Sequence, residues 1–173
     1  MGNFIKPLFT ATPPRILLLG LDLSGKTSIV YKLQLGQTIA TIPTIGFNVE
    51  EIEFNGAKLV MWDLGGQEKV RSLWRHYFAK TSALVYVVDS SDVDRLEESC
   101  RELHQVLNDQ LLKDVRVLIF ATKQDLKEAL KKEQLTKYLK TDEIKQVWNM
   151  QLCSSVTGEG LKEGLEWVLK NLK

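Results

Sequence analysis

Arg15-Ile16-Leu17-Leu18-Leu19-Gly20-Leu21-Asp22-Leu23-Ser24-Gly25-Lys26-Thr27 decides the fold. Ile16–Leu19 is a continuous apolar run that stops at Gly20. An apolar run without polar alternation reads as a strand covered on both faces, as in a parallel sheet. Gly20–Thr27 then matches G-x-x-x-x-G-K-[ST] at every fixed position, between a predicted strand and a predicted helix. Glycines let the backbone wrap close to a phosphate with its N–H groups turned inward. The helix N-terminus adds positive partial charge. Lys26 can neutralise β- and γ-phosphates, and the Thr27 hydroxyl can ligate Mg²⁺. The bland alternative is a glycine-rich turn with a chance lysine, which the strand–loop–helix context disfavours. The loop alone implies a nucleoside triphosphate site, with base and reaction open.

Similar runs follow outward from this loop. Ala83–Val88 ends at Asp89, Val115–Ala121 ends at Thr122, and Met150–Cys153 is a shorter one. Leu96, Cys100, Leu103 and Leu107 share one face of a helix, and Leu161, Leu165, Val168, Leu169 and Leu172 share another. Buried strands alternating with amphipathic helices predict a doubly wound α/β domain. One segment breaks the alternation: Phe47–Phe54 and Ala57–Asp63 flank Asn55-Gly56, the strongest short-range hairpin signal. The expected fold is a mostly parallel six-stranded sheet with one antiparallel hairpin strand and helices on both faces. Pro13-Pro14 separates an N-terminal segment, 1–14, from the body, 15–173.

Composition bounds the rest. The 173 residues suit one domain with a sizeable core. A formal net charge of +1 argues against a general nucleic-acid binder. The apolar runs are far shorter than the roughly 20 residues a bilayer span needs. Cys100 and Cys153 make neither a disulfide framework nor a metal spacing, and fit a reducing, cytoplasmic setting.

Four further words carry a family resemblance: Pro43-Thr44-Ile45-Gly46-Phe47-Asn48-Val49-Glu50, Trp62-Asp63-Leu64-Gly65-Gly66-Gln67-Glu68, Trp74-Arg75-His76-Tyr77-Phe78, and Thr122-Lys123-Gln124-Asp125. With Gly20-Leu21-Asp22 they resemble the Arf and Arf-like small GTPases along nearly the whole chain. The resemblance implies that GTP and GDP are bound with Mg²⁺, and that GTP is hydrolysed slowly. It implies nucleotide contacts from Asp22, Leu23, Ser24, Gly25, Lys26, Thr27, Ser28, Thr44, Gly66, Thr122, Lys123, Asp125, Cys153, Ser154 and Ser155. Thr27 and Thr44 would hold Mg²⁺ directly and Asp63 through water. Gln67 would orient the attacking water, with Lys26 as its electrostatic partner. Asp125 would select guanine, whose N1–H and exocyclic amine both donate to one carboxylate; adenine would leave that carboxylate unsatisfied. Phe47, Trp62 and Tyr77 resemble the aromatic triad on which effectors of this family dock.

The chain departs from the family at named positions. Thr122 stands where asparagine is usual; a hydroxyl makes fewer bonds than an amide, so weaker bracing of the loop and faster nucleotide exchange are expected. Leu23-Ser24 replaces two small residues, a change the backbone contacts should tolerate. Asp22 matches the family, and a carboxylate near the γ-phosphate should slow spontaneous hydrolysis. Arg71, Arg75 and Arg95 read as structural or solvated, so an activating protein should supply the missing charge.

At the N-terminus, Lys6 fails the general acylation pattern, whereas Arf-like chains often acylate at Met-Gly regardless, which makes Gly2 a lipidation candidate. Phe4, Ile5, Leu8 and Phe9 add a small apolar face, and a single acyl chain needs such a second signal. The resemblance implies a monomeric switch that cycles between cytoplasm and an intracellular membrane of Golgi type. Its partners would be an exchange factor, a GTPase-activating protein and effectors in membrane traffic. Its hairpin, Glu50–Leu59, would slide when GTP binds. Two other readings stand beside it: a poorly hydrolysing nucleotide-binding scaffold, and an ATP-dependent kinase. The latter conflicts with Asp125 and lacks a basic lid-like segment.

Overall fold

The computed structural model describes residues 12–37 and 41–172. The acylation candidate Gly2 and the apolar face at Phe4–Phe9 lie outside them. Six strands form one sheet: β1 (Arg15–Leu19), β2 (Phe47–Phe54), β3 (Ala57–Leu64), β4 (Ala83–Asp89), β5 (Arg116–Thr122) and β6 (Trp148–Leu152), in the order β2-β3-β1-β4-β5-β6. Every pairing is parallel except β2 with β3. Asn55 and Gly56 both have positive φ, 51° and 75°, which closes this antiparallel pair with a turn matched to the strand twist. β3, β4 and β5 each run one residue past their expected ends, β5 begins one residue late, at Arg116, and β6 begins two residues early, at Trp148. Pairing with Val117 and Leu118 extends β6 back over Trp148 and Asn149, whose mixed polarity hides a strand.

The helices are α1 (Lys26–Leu35), α2 (Glu68–Arg71), α3 (Leu96–Leu107), α4 (Lys132–Tyr138) and α5 (Leu161–Asn171). Strand alternation sorts them onto two layers. Leu17 and Leu19 of β1 join a core with Leu96, Leu103 and Leu107 of α3 and Leu135 of α4. Ile16 and Leu18 face the other way, with Ile29 and Val30 of α1 and Leu161, Leu165 and Val168 of α5. Leu169 and Leu172, expected on the buried face of α5, are only partly buried against that core. Helix α4 has no counterpart among the sequence expectations: of its seven residues only Leu135 is buried, so no apolar stripe announces it.

Parallel strands β1, β4 and β5 end together, so the loops at Gly20, Asp89 and Thr122 emerge along one edge. β3 is parallel to β1 and brings Asp63 beside Leu18, adding the loop that starts at Gly65. The expected motifs therefore meet at the carboxyl edge of the sheet, where open α/β sheets bind ligands.

Candidate functional site

The phosphate loop links β1 to α1. Lys26 opens α1 and is buried; its Nζ donates to the Gly20 and Leu21 carbonyls, 2.9 Å each. Burial lowers the Lys26 ammonium to about pH 8, while the Asp63 and Asp22 carboxylates pull it upward. Leu23 holds φ at 63° and is 66% exposed at the mouth of the cleft. The Ser24 hydroxyl is buried and has no partner. Gly25, Ser28 and Thr41 line the same cleft, and the Ser28 and Thr41 hydroxyls stand 3.4 Å apart.

Three oxygen groups converge beside Lys26. Thr27 Oγ1 donates to Asp63 Oδ2, and Thr44 Oγ1 lies 2.8 Å from Thr27 Oγ1 and 3.4 Å from Asp63 Oδ2. Asp63 Oδ1 is buried without any hydrogen-bond partner. Burial raises the Asp63 carboxyl, and the hydroxyls and Lys26 only partly offset this. Two hydroxyls and a carboxylate with an unsatisfied oxygen are hard donors, a set that fits Mg²⁺.

The segment after β3 presses against the loop. Gly65 N–H donates to the Gly46 carbonyl at 2.8 Å, and Asp22 N–H donates to the Gly66 carbonyl at 3.0 Å. A Cβ on Gly66 would overlap the Gly20 carbonyl oxygen, and one on Gly65 the Thr44 carbonyl oxygen. Only glycine permits this approach. Gln67 begins the turn into α2 and lines the cleft with Gly66, Thr44 and Lys26.

Asp22 is arranged differently from the sequence expectation. Its carboxylate does not stand alone beside the cleft: Arg95 lies 2.7 Å and Arg71 3.6 Å from Oδ1. Burial pushes the Asp22 carboxyl up, but the Arg95 hydrogen bond and charge carry it below the usual range. Paired in this way, the carboxylate would repel an anion in the cleft less than a lone one. Arg71 is buried, with Glu98 at 2.7 Å and Glu102 at 3.4 Å, while exposed Arg75 pairs with Asp109 at 2.8 Å. Arg71 and Arg95 are structural, as expected, but they are structural at the phosphate loop. Arg95 and Asp22 are 73 residues apart in the chain, and no sequence signal joins them.

β5 and β6 supply the other half of the site. Thr122 is buried, and its Oγ1 lies 2.7 Å from the Ser24 carbonyl and 3.0 Å from the Val88 carbonyl. One hydroxyl proton serves two acceptors, so the bracing exists but is half of what an amide could donate. Lys123 takes φ 61°, and its Nζ pairs with Asp89 at 2.6 Å. Asp125 is exposed and accepts from Ser154 Oγ at 2.7 Å. Ser154 Oγ also accepts from the Val156 and Thr157 N–H groups, so it is fixed from both sides. Ser155 is half-buried beside it. The Cys153 thiol is buried in the core; its N–H donates to Ala121 and its carbonyl accepts from Gln124. Cys153 thus ties the loop after β6, which bears Ser154, to the loop after β5, which bears Asp125.

Phe47, Trp62 and Tyr77 form one aromatic cluster with ring centroids 5.4 to 5.9 Å apart. Phe47 is half exposed, and Trp62 and Tyr77 are half-buried. Arg15 covers the Trp62 ring at 4.1 Å.

Residues 1–172 match the ADP-ribosylation factor family. Among solved structures the chain is similar to the Arl6 BBS3 small GTPase from Trypanosoma brucei with bound nucleotide analogue GppNp. Identity is 30% and the TM-score 0.85, over 92% of this chain and 96% of that one. Both likenesses extend over nearly all of the chain: this chain belongs to the ADP-ribosylation factor family and is a small GTPase that binds and hydrolyses GTP.

Proposed function

We propose that the chain is a membrane-attached switch that reads the γ-phosphate with the segments around Thr44 and Gly66. One observation carries this reading. The Thr44 hydroxyl meets Thr27 and Asp63, while Gly65, in the loop after β3, bonds to Gly46 in the loop before β2. Both loops are thereby gathered onto the phosphate loop. Thr27 and Thr44 would hold Mg²⁺ directly and Asp63 through water. Mg²⁺, when bound, neutralises charge on the phosphate oxygens. Gln67 orients the attacking water, and Lys26 holds the β- and γ-phosphates. Asp125, fixed by Ser154, takes the guanine N1–H and amine. Thr44→Ala tests the switch directly: GTP affinity should fall about tenfold or more while GDP affinity stays within about threefold, since only the GTP form uses Thr44. Equal loss of both nucleotides would reject it.

The membrane side of the proposal rests on the hairpin. β2 is an edge strand with a single fully buried residue, Ile52, so sliding it exposes little core. An even shift keeps its faces. At the amino ends of β1, β4 and β5, opposite the phosphate loop, a groove of about 800 Å³ is lined by Arg15, Val60, Trp62, Leu111 and Leu172. Segment 1–14 precedes β1 and would engage an intracellular membrane when GTP binds, with Gly2 as the acylation point. Effectors would then dock on Phe47, Trp62 and Tyr77. Flotation of the natively expressed protein with liposomes, together with mass spectrometry of its N-terminus, tests this. GTP-dependent flotation with an acyl mass on Gly2 is expected, and nucleotide-independent behaviour refutes the switch at the membrane.

A further inference from the structure

Two successive carbonyls after β3 are each held by a buried side chain. Trp74 Nε1–H donates to the Gly65 carbonyl at 2.8 Å. Arg71 Nε–H donates to the Gly66 carbonyl at 2.7 Å. Trp74 is 3% exposed and Arg71 8%. Both donors have fixed directions, since an indole N–H and a guanidinium Nε–H lie in the planes of their rigid groups.

Peptide planarity converts these two bonds into an aim. In a trans peptide the N–H points opposite to the C=O of the same unit. The Gly65 carbonyl shares its unit with the Gly66 N–H, and the Gly66 carbonyl shares its unit with the Gln67 N–H. Holding the Gly65 carbonyl against the indole turns the Gly66 N–H away from the Trp74 core, toward the cleft that Gly66 lines. Glycine has no side chain to hold it in place, and Gly65-Gly66 would otherwise sample both peptide orientations.

The clamp is anchored on rigid structure. Trp74 belongs to the larger core cluster with Leu64 and Phe78. Arg71 spends its other nitrogens on Glu98 and Glu102 of α3 and on Asp22 of the phosphate loop. Arg95 ties Glu98 to Asp22 from the far side, at 3.2 and 2.7 Å. The Gly66 carbonyl also receives Asp22 N–H, so phosphate loop, Gly66 and α3 form one network around Arg71. A lysine ammonium cannot serve a carbonyl and two glutamates with that planar fork.

We propose that Trp74 and Arg71 are positioning residues for GTP: they clamp the Gly65 and Gly66 carbonyls, aim the Gly66 N–H at the γ-phosphate, and set the backbone that carries Gln67. The inference rests on the roles given to Gly66 and Gln67 above. It separates from a merely structural role because GDP has no γ-phosphate: clamp variants must lose GTP selectively.

Trp74→Phe removes the N–H and keeps an aromatic ring. Arg71→Lys keeps the charge and removes the fork. GTP and GDP affinities and single-turnover GTP hydrolysis are measured on each, in the full chain with Mg²⁺. GTP affinity and single-turnover rate should each fall about tenfold, with GDP affinity within about threefold, since one lost hydrogen bond is worth about a decade. The double variant should lose less than the product of the two, because both act on adjacent peptide units. Equal losses for GTP and GDP, or no loss for either, overturn the clamp. Should Trp74→Phe fail to fold, Arg71→Lys and Arg71→Gln decide on the same ratio. Thr44→Ala in the same assay keeps the two claims apart. If it leaves the GTP preference intact, the switch reading fails. If it loses GTP selectively while the clamp variants do not, only the clamp falls.

Discussion

β5 and β2 both serve the same edge of the sheet, and they are built in opposite ways. β5 buries six of its seven residues and is half-buried at the seventh, Arg116. β2 buries only Ile52 of eight. β5 delivers Thr122, which braces the phosphate loop, and leads into Lys123 and Asp125, the residues proposed to meet the base. β2 and its partner β3 connect to Thr44, Asp63 and Gly66, the residues proposed to hold Mg²⁺ and read the γ-phosphate. Binding either nucleotide needs a fixed platform, and telling GTP from GDP needs a part that can move at low cost. The burial difference supplies both on one sheet, since elements that open readily bury few apolar contacts.

The largest test of that contrast is one phenylalanine on each strand. Phe120 on β5 is fully buried, and Phe47 on β2 is 49% exposed. Phe120→Ala should destabilise the protein by about 3–5 kcal/mol, as large-to-small changes in sealed cores do. Phe47→Ala should cost under about 1 kcal/mol. Urea unfolding at one fixed GDP and Mg²⁺ concentration measures both, because bound nucleotide itself adds stability. Similar values at the two positions would erase the distinction.

Gly66→Ala asks the same question of the nucleotides. Its Cβ would overlap the Gly20 carbonyl oxygen in the arrangement seen here. Overpacking of this kind costs about 1–3 kcal/mol. If the proposed switch holds, the cost should fall on GTP alone, because in the GDP form the segment would withdraw from the loop. Equilibrium titration with both nucleotides checks it, and an equal penalty on GDP would mean that the hairpin side is as fixed as the base side.

Thr122→Val probes the platform and should behave in the reverse sense. The isosteric change removes the hydroxyl from between the Ser24 and Val88 carbonyls. Leaving a buried acceptor without its donor costs about 1–3 kcal/mol. Part of that cost should appear as faster release of GDP and GTP alike, by about tenfold, read from displacement of a fluorescent nucleotide. Thr122→Asn should slow release, because an amide can donate to both carbonyls at once. A GDP off-rate unchanged by Thr122→Asn would show that the single hydroxyl braces the loop fully.

These two halves were legible in the sequence for different reasons. The β5 side could be read because burial writes itself as apolar runs: Val117–Ala121 admits no polar residue. The hairpin could be read for a different reason, the Asn55-Gly56 turn, which demands positive φ at two successive residues. What stayed hidden is what depends on distant pairs. Asp22 reads as a free carboxylate until folding brings Arg95 and Arg71 to it. Trp74 reads as one aromatic among several until its indole is seen on the Gly65 carbonyl. The phosphate loop is legible because its function requires fixed residue types at fixed spacing. The network that aims its neighbours only requires groups of the right reach, and α3 could supply them from many positions.

The smallest expected effect lies inside the platform. Ser24 is buried in the phosphate loop, and its hydroxyl has no hydrogen-bond partner. Ser99 on α3 is buried with an unpartnered hydroxyl too, and both residues line one cavity of about 10 Å³ beneath the loop. That volume is at the lower limit for a single water. If the cavity is dry, Ser24→Ala removes an unsatisfied polar group and should leave stability unchanged or raise it by a few tenths of a kcal/mol, within the range of neutral substitutions. If a water bridges the two hydroxyls, the same change should cost about 1 kcal/mol, and Ser99→Ala should cost no more when added to it. Urea unfolding of the two single variants and the double variant distinguishes the cases. The dry outcome is expected on volume alone, since Asp22, Asp89, Asp92 and Arg95 also line the cavity and could serve a water that fitted. It would make Ser24 a place where the fixed half of the site tolerates change while its backbone does the binding.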